Sequence, residues 1–375
     1  MIYRDLSKLI VIYRRLYHHL VMGIFFLKDL SFTMQMMTDL SYVNAYKMQW
    51  QSKAEALGRA KLESMRSLGA FESIGSSNRI EGNTLSDGEV EKLLSGLSTK
   101  SFRSRDEEEV AGYSDALNII QRNYNDIPLT ENYIKQLHSI LLKYTTKDER
   151  HRGEYKALAN SVAAFDKEEH EVGIVFRTAE PYETPTLMQE LVKETNELLL
   201  DKTFDPVISI GLFIVHFLAI HPFQDGNGRM SRLLTMLLLL KAGYEYVPYY
   251  SLEKIIEESK STYYQALRRT QLSFSSGKAD YSPWLGYFLG ILKSQADNLE
   301  KKISAYTSST SLNMKEESVV ALLKANGGLS ISEICRNLPD ITPNTIKGIL
   351  RRLADRGIIE KHGANKGTWY SAKLK

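Results

Sequence analysis

The chain has 375 residues, 43% of them hydrophobic, and its 48 Lys and Arg against 45 Asp and Glu give a formal net charge of +3. That is enough apolar material for two or three domains with their own cores, and so slight a charge excess singles out no class of partner. A single cysteine, Cys335, excludes an internal disulfide framework and suits a reducing compartment, hence a cytoplasmic location, and no His/Cys cluster has zinc-site spacing.

In chain order, residues 1–36 read as an extension that does not belong to the folded protein. Ile10–Phe26 is apolar in places, but Arg14, Arg15, His18 and His19 interrupt it, so it suits neither a membrane span nor a signal peptide. Met34, Met36 and Met37 offer alternative starts where helical sequence begins. Residues 37–130 read as a helical segment in which Ala60–Ile74 forms a helix leading to Ser77-Asn78-Arg79-Ile80-Glu81-Gly82-Asn83. Alone, that string also fits a helix capped by Ser77, with Glu81 a solvated acid in its first turn. Gly153–Met188 has β-type residues at Gly173–Arg177, just before a Pro-containing stretch.

Pro206–Ile220 and Leu233–Leu240 are long apolar runs that read as buried helices. Between them lies His221-Pro222-Phe223-Gln224-Asp225-Gly226-Asn227-Gly228-Arg229-Met230-Ser231-Arg232. A polar loop that opens directly into a buried helix presents free N–H groups and the positive end of the helix dipole, an anion site. Gly226 and Gly228 allow close backbone approach, and Arg229 and Arg232 lie three apart on one helical face, spaced to grip neighbouring phosphates. Asp225 is a hard ligand suited to Mg²⁺ shared with phosphate oxygens, Asn227 can donate to a phosphoryl oxygen, and Phe223 anchors the loop. His221, with an ordinary pKa near neutrality, suits a general base acting on a hydroxyl.

From His221 to Arg229 the loop resembles the signature of the Fic family, HPFx(D/E)GN(G/K)R, and the resemblance extends loosely over roughly residues 40 to 300. It implies a mainly α fold: a Fic-type helical bundle, with its catalytic core at 131–300 and a small β-hairpin flap. It also implies a protein adenylyltransferase that moves AMP from ATP onto a Ser, Thr or Tyr hydroxyl of a target protein or of itself. Carried over by position, His221 deprotonates the hydroxyl and Asp225 holds Mg²⁺. Asn227 and the amides from Gly226 through Ser231, Met230 included, cradle phosphate, while Arg229 and Arg232 bind the triphosphate. Ser77 to Gly82 is similar to the family's inhibitory segment, (S/T)xxxE(G/N), which implies that Glu81 pairs with Arg232 and denies it to the γ-phosphate. Gly173, Ile174, Val175 and Phe176 resemble the flap strand that holds the target by β-augmentation. Thr178-Ala179 stands where the family often has a Pro pair. Tyr263-Tyr264-Gln265-Ala266-Leu267 resembles the YYxAL helix, which puts Tyr263 near the adenine and a nucleotide contact at Gln271. The bland reading of Tyr264 is helix–helix packing.

Ser304–Ser311, rich in Ser and Thr, reads as part of a linker at 301–313. Residues 314–375 then read as three short helices, Glu317–Lys324, Ser332–Asn337 and Thr342–Arg356, and a β-wing from Gly357 to Ser371, which together resemble a winged helix-turn-helix. From Met314 onward 11 Lys and Arg face 6 Asp and Glu. A basic module of this kind can place Lys347, Arg351 and Arg352 against DNA, and winged helices also serve as protein-interaction pieces. DNA and a second copy of the chain are therefore candidate partners beside ATP and a target protein; a membrane is not. Two alternative functions stay open: a DNA-binding or scaffolding regulator that senses nucleotide in the pocket, and an enzyme that removes AMP with Glu81 positioning water.

Overall fold

The computed structural model describes residues 24–25, 27–96, 102–165, 171–201, 203–275, 278–310, 314–364 and 367–373, with backbone alone at 161–165, 171–177 and 307–310. Most of Ile10–Phe26, the flap tip and parts of the expected linker and wing lie outside the described residues. The chain divides into two compact units, residues 1–299 and 300–375.

In the first unit, α1 (Met34–Leu57) and α2 (Arg59–Ile80) are separated by Gly58 at φ 77°, a backbone setting that glycine adopts without strain. α3 (Asp87–Ser95), α4 (Arg105–Asn123) and α5 (Glu131–Leu141) follow, capped by the Ser86/Glu89 box, Ser104 and Thr130. β1 (Ser161–Phe165) and β2 (Glu171–Arg177) pair antiparallel, with Val162 opposite Phe176, Ala164 opposite Gly173, and register shifts that bend the hairpin. α6 (Thr184–Leu200), α7 (Pro206–Ile220), α8 (Asn227–Lys241), α9 (Leu252–Glu258) and α10 (Lys260–Phe274) follow, and α11 (Ser282–Thr310) begins in this unit and runs past its boundary at residue 299.

α7 is apolar on nearly every face, and so is α8 from Leu233 to Leu240, a pattern satisfied only at the centre of a bundle. Val207, Ile210, Leu212, Phe213 and Phe217 of α7 and Leu233, Leu234 and Leu239 of α8 are accordingly buried. The loop joining these two rigid helices is positioned by the best-packed part of the molecule. α2 approaches the same centre through small side chains. A Cβ at Gly69 would strike the Pro248 carbonyl, and the Ser73 hydroxyl donates to that of Ser251 at 3.1 Å.

Two expectations are corrected. The extension at 1–36 includes a segment that is part of the fold. Phe25 is 2% exposed and packs edge-on against His216, while the N–H groups of Ile24 and Phe25 donate to the Glu194 carboxylate at 2.7 and 3.2 Å. One large apolar side chain and two amides suffice to dock a segment, and neither leaves a periodic pattern. Ser304–Thr310, expected as linker, continues α11 as helix. Ser and Thr disfavour helix by only about 0.5 kcal/mol each, which an already nucleated helix absorbs.

The second unit contains α12 (Met314–Asn326), β3 (Leu329–Ser330), α13 (Ile331–Asn337), α14 (Pro343–Asp355), β4 (Ile359–His362) and β5 (Trp369–Ala372), in a sheet of order β3-β5-β4. Its core is its own: Val319, Leu323, Ile334, Ile346, Ile349, Leu353 and Ile359 are buried together. Thr342 caps α14 with Pro343 in the first turn, and the unit is a winged helix. No helix of the described residues is long and apolar enough to cross a membrane.

Candidate active site

His221 ends α7 with φ 54°, the only non-glycine residue at positive φ among the described residues, a conformation costing about 1–2 kcal/mol. The next four residues are held by their own surroundings. The Asn227 side chain accepts from the Phe223 N–H at 2.9 Å and donates to the Phe223 carbonyl at 2.7 Å. His138 stacks on the Phe223 ring at 3.8 Å; its Nδ1 accepts from the Gly153 N–H at 3.0 Å, so Nε2 carries the proton and donates to the Asp225 carbonyl at 3.0 Å. Gly226, at φ 80°, then turns the chain into α8 without a capping side chain, leaving the first-turn N–H groups without intrahelical partners.

The His221 Nδ1–H donates to the Leu218 carbonyl at 3.3 Å, which leaves the lone pair on Nε2. Burial, with the charge of Lys156 acting the same way, pushes His221 down to about 4, so its ordinary near-neutral value does not apply here. At neutral pH the ring is uncharged and in the protonation state that a base requires.

Glu81 and Arg232 meet. The Arg232 Nη2 donates to Glu81 Oε1 at 2.8 Å and to the Ser77 carbonyl at 2.8 Å, and its Nε donates to Ser77 Oγ at 2.8 Å. α2 runs through Ser77 to Ile80, so Glu81 stands at the end of that helix rather than in a first turn, and Gly82 follows at φ 96°. A Cβ at Gly228 would collide with the Glu81 carboxylate, which therefore lies directly over the first turn of α8. An acid occupies the space where the helix dipole favours an anion. The last turn of α2 is itself fastened by Arg79, which reaches Glu257 at 2.7 Å and Asp87 at 2.9 Å.

On the other side of the loop, Arg105 donates to Asp225 Oδ2 at 2.8 Å and to Glu109 at 2.8 Å. Arg229 lies 3.4 Å from Glu109 and 3.5 Å from Asp225. Burial alone would raise the Asp225 carboxyl, but Arg229, the Gly226 amide and Arg105 hold it below its ordinary value. Among the described residues no cluster of three or more His, Cys, Asp or Glu is placed to hold a metal ion.

Several residues expected at the site have other employment. The Asn227 amide closes the loop, its oxygen accepting from the Phe223 N–H and one of its two Nδ2 hydrogens going to the Phe223 carbonyl. Met230 is fully buried with its N–H on the Gly226 carbonyl, and the Ser231 hydroxyl donates to the Gly228 carbonyl at 2.7 Å. Tyr263 is 3% exposed, edge-on to Trp284 and within reach of Arg232, Ser231 and the Glu81 charge. Tyr264, 39% exposed, is also close enough to Glu81 and Arg232 for their charges to act on its hydroxyl. Gln271 is buried. The flap strand containing Gly173, Ile174, Val175 and Phe176 forms a hairpin, of which the backbone is described. In the second unit Lys347 and Arg351 are exposed, while Arg352 Nε donates to the buried Glu316 at 3.1 Å. His138, Arg105, Glu109, Lys156 and Asn160 surround the loop although nothing in the sequence marked them as functional, together with Thr178 from the Pro-pair position after the flap.

Two of the buried imidazoles bear on stability. Burial pushes His138 down to about 4 and His216 down to about 3, so both are neutral in the fold and titrate near 6.5 when it unfolds. The unfolded chain binds more protons between about pH 6.5 and 4, so stability is present above that window and falls as pH falls through it. Thermal melts on that interval are expected to show a loss approaching about 3 kcal/mol per pH unit. A flat profile there would mean that both imidazoles stay accessible to protons.

Residues 128–239 match the Fic/DOC family, and residues 312–375 match the penicillinase repressor family. The chain is 30% identical over 258 residues to the protein adenylyltransferase Fic of Drosophila melanogaster, covering 68% of this chain and 45% of that protein. It is 25% identical over 240 residues to the protein adenylyltransferase fic-1 of Caenorhabditis elegans, covering 59% and 41%. A Fic family protein from Desulfovibrio desulfuricans superposes with a TM-score of 0.59 over 92% of this chain and 98% of that one, at 21% identity. This chain thus spans less than half the length of the two curated relatives.

Proposed function

Since the chain carries a Fic domain with adenylyltransferase homologues and ends in a winged helix, we propose that it transfers AMP from ATP to a Ser, Thr or Tyr hydroxyl of a protein and is held idle by Glu81. The observation that carries this reading is the Glu81 carboxylate, bonded to Arg232 and lying over the first turn of α8, beside a histidine with a free Nε2 lone pair. An enzyme that handles a triphosphate needs an anion site, a cation for the phosphate charge and a base, and all three converge on this loop.

In the transfer, His221 Nε2 takes the proton of the target hydroxyl as its oxygen attacks the α-phosphorus. The bond from that phosphorus to the bridging oxygen breaks and pyrophosphate leaves. Free amides of the first turn of α8 face the phosphates, and Arg229 and Arg232 neutralise their charge. Arg232 Nη1 and Arg229 Nε are buried without hydrogen-bond partners among the described residues, which leaves donors for the ligand. Asp225 would hold Mg²⁺ together with phosphate oxygens, the ion supplying further neutralisation of phosphate charge. It fits as the carboxylate that extends from the loop and is now paired with Arg105. The hairpin over the site suits a target segment added as a third strand. For the second unit, exposed Lys347 and Arg351 on α14 support DNA as a candidate partner, whereas Arg352 is spent on Glu316.

The test is label position. Protein incubated with Mg²⁺ and ATP labelled at the α-phosphate should acquire label, and ATP labelled at the γ-phosphate should give none. Incorporation from the γ-label, or from neither label with any candidate substrate once Glu81 is removed, sinks the proposal.

A further inference from the structure

Between the flap and the loop lies a buried polar knot that plays no part in the transfer just described. Lys156 is 4% exposed, and its ammonium donates to Asn160 Oδ1, Thr178 Oγ1 and the Ile220 carbonyl, each at 2.9 Å. Its peptide N–H donates to the Pro222 carbonyl at 2.8 Å. Asn160 Nδ2 donates to the Phe223 carbonyl at 3.0 Å, and Thr178 Oγ1 donates to the Asn160 carbonyl at 2.7 Å. None of these acceptors is a carboxylate.

A buried ammonium without an anion in contact is costly, and a Met or Leu would fill the same volume without that cost. What an apolar side chain lacks is three donors, and here all three are matched to buried oxygens. The carbonyls on both sides of His221 are thereby held by one residue, and His221 is the residue in the left-handed conformation. The other two oxygens belong to the residues that flank the hairpin, Asn160 just before β1 and Thr178 just after β2. The knot closes the base of the flap with the same lysine that fixes the backbone of the base.

We propose that Lys156 is a positioning residue that couples the flap to His221, so that a target strand seated on the hairpin and the imidazole that serves it keep one geometry. This rests on the AMP-transfer reading of the site. Misplacing a reacting group by about 1 Å is enough to lower a rate about 100-fold.

The experiment uses the full chain carrying Glu81→Gly, with Lys156→Met or Thr178→Val added. It reads kcat and KM for ATP and, independently of turnover, the affinity for a non-hydrolysable ATP analogue and the ring resonances of His221. For Lys156→Met, kcat should fall about 100-fold while analogue affinity stays within about threefold and the His221 resonances shift. Thr178→Val, which leaves the charge and removes one acceptor, should move kcat and the resonances in the same direction by less, and it carries the test if Lys156→Met does not fold. An unchanged kcat overturns the proposal. So does a joint loss of kcat and analogue affinity with the His221 resonances in place. If the Glu81→Gly parent transfers no AMP, it is the AMP-transfer reading that fails, and the resonances still decide whether the flap and His221 are coupled.

Discussion

Replacing Glu81 by glycine is expected to raise the initial rate of AMP incorporation about 10- to 100-fold at a fixed ATP concentration. Two unit charges near contact attract by roughly 4 kcal/mol at an effective dielectric of about 20, before desolvation is subtracted. Glu81 and Arg232 are 2.8 Å apart, Arg232 is buried and the carboxylate is about one-third exposed, so desolvation removes part of that attraction. A net of about 1.4–2.7 kcal/mol gives the stated range. Removing the carboxylate also empties the space over Gly228. The measurement is incorporation of α-label by the two proteins side by side. A fall in rate on losing Glu81 would reverse the assignment and favour removal of AMP with Glu81 positioning water.

His221→Ala in the Glu81→Gly background should lower incorporation about 10²- to 10⁴-fold, the usual contribution of a positioned base, with ATP-analogue affinity unchanged. The separation follows from the geometry. The imidazole hangs on the end of α7, whereas the phosphate-facing groups, Arg232 among them, belong to α8. A histidine pushed down to about 4 by burial is a weak base at rest. A bound triphosphate would place negative charge beside it and raise it again, so the base is strongest when the ligand is present. Loss of analogue binding in parallel with turnover would instead make His221 a prop for the loop.

Features written in local order could be read from the chain; contacts made at long range could not. The loop from His221 to Arg232 announced itself because glycines, arginines and a histidine stand at fixed spacing between two apolar runs, and those runs became α7 and α8. The Ser77 to Gly82 string was visible for the same reason. Lys156 was not, since its three acceptors come from positions 160, 178 and 220, and a single lysine in a polar stretch looks solvated. His138 and Arg105 escaped likewise, being joined to Asp225 across 87 and 120 residues. An adjacent tyrosine pair on a helix gives no indication of which ring turns inward; packing against Trp284 buries Tyr263 within reach of Arg232 and Ser231.

Glu81 is attached to the end of a helix that docks by Gly69 and Ser73 and is fastened by Arg79. On the proposed reading it is a tethered competitor, and tethering sets its strength. A free carboxylate in solution would be a feeble rival to a triphosphate, but one confined beside its arginine acts at a local concentration in the millimolar range or above. Idleness is then graded by mass action. Rising ATP erodes it and loosening α2 lowers the local concentration, and neither requires the loop itself to refold.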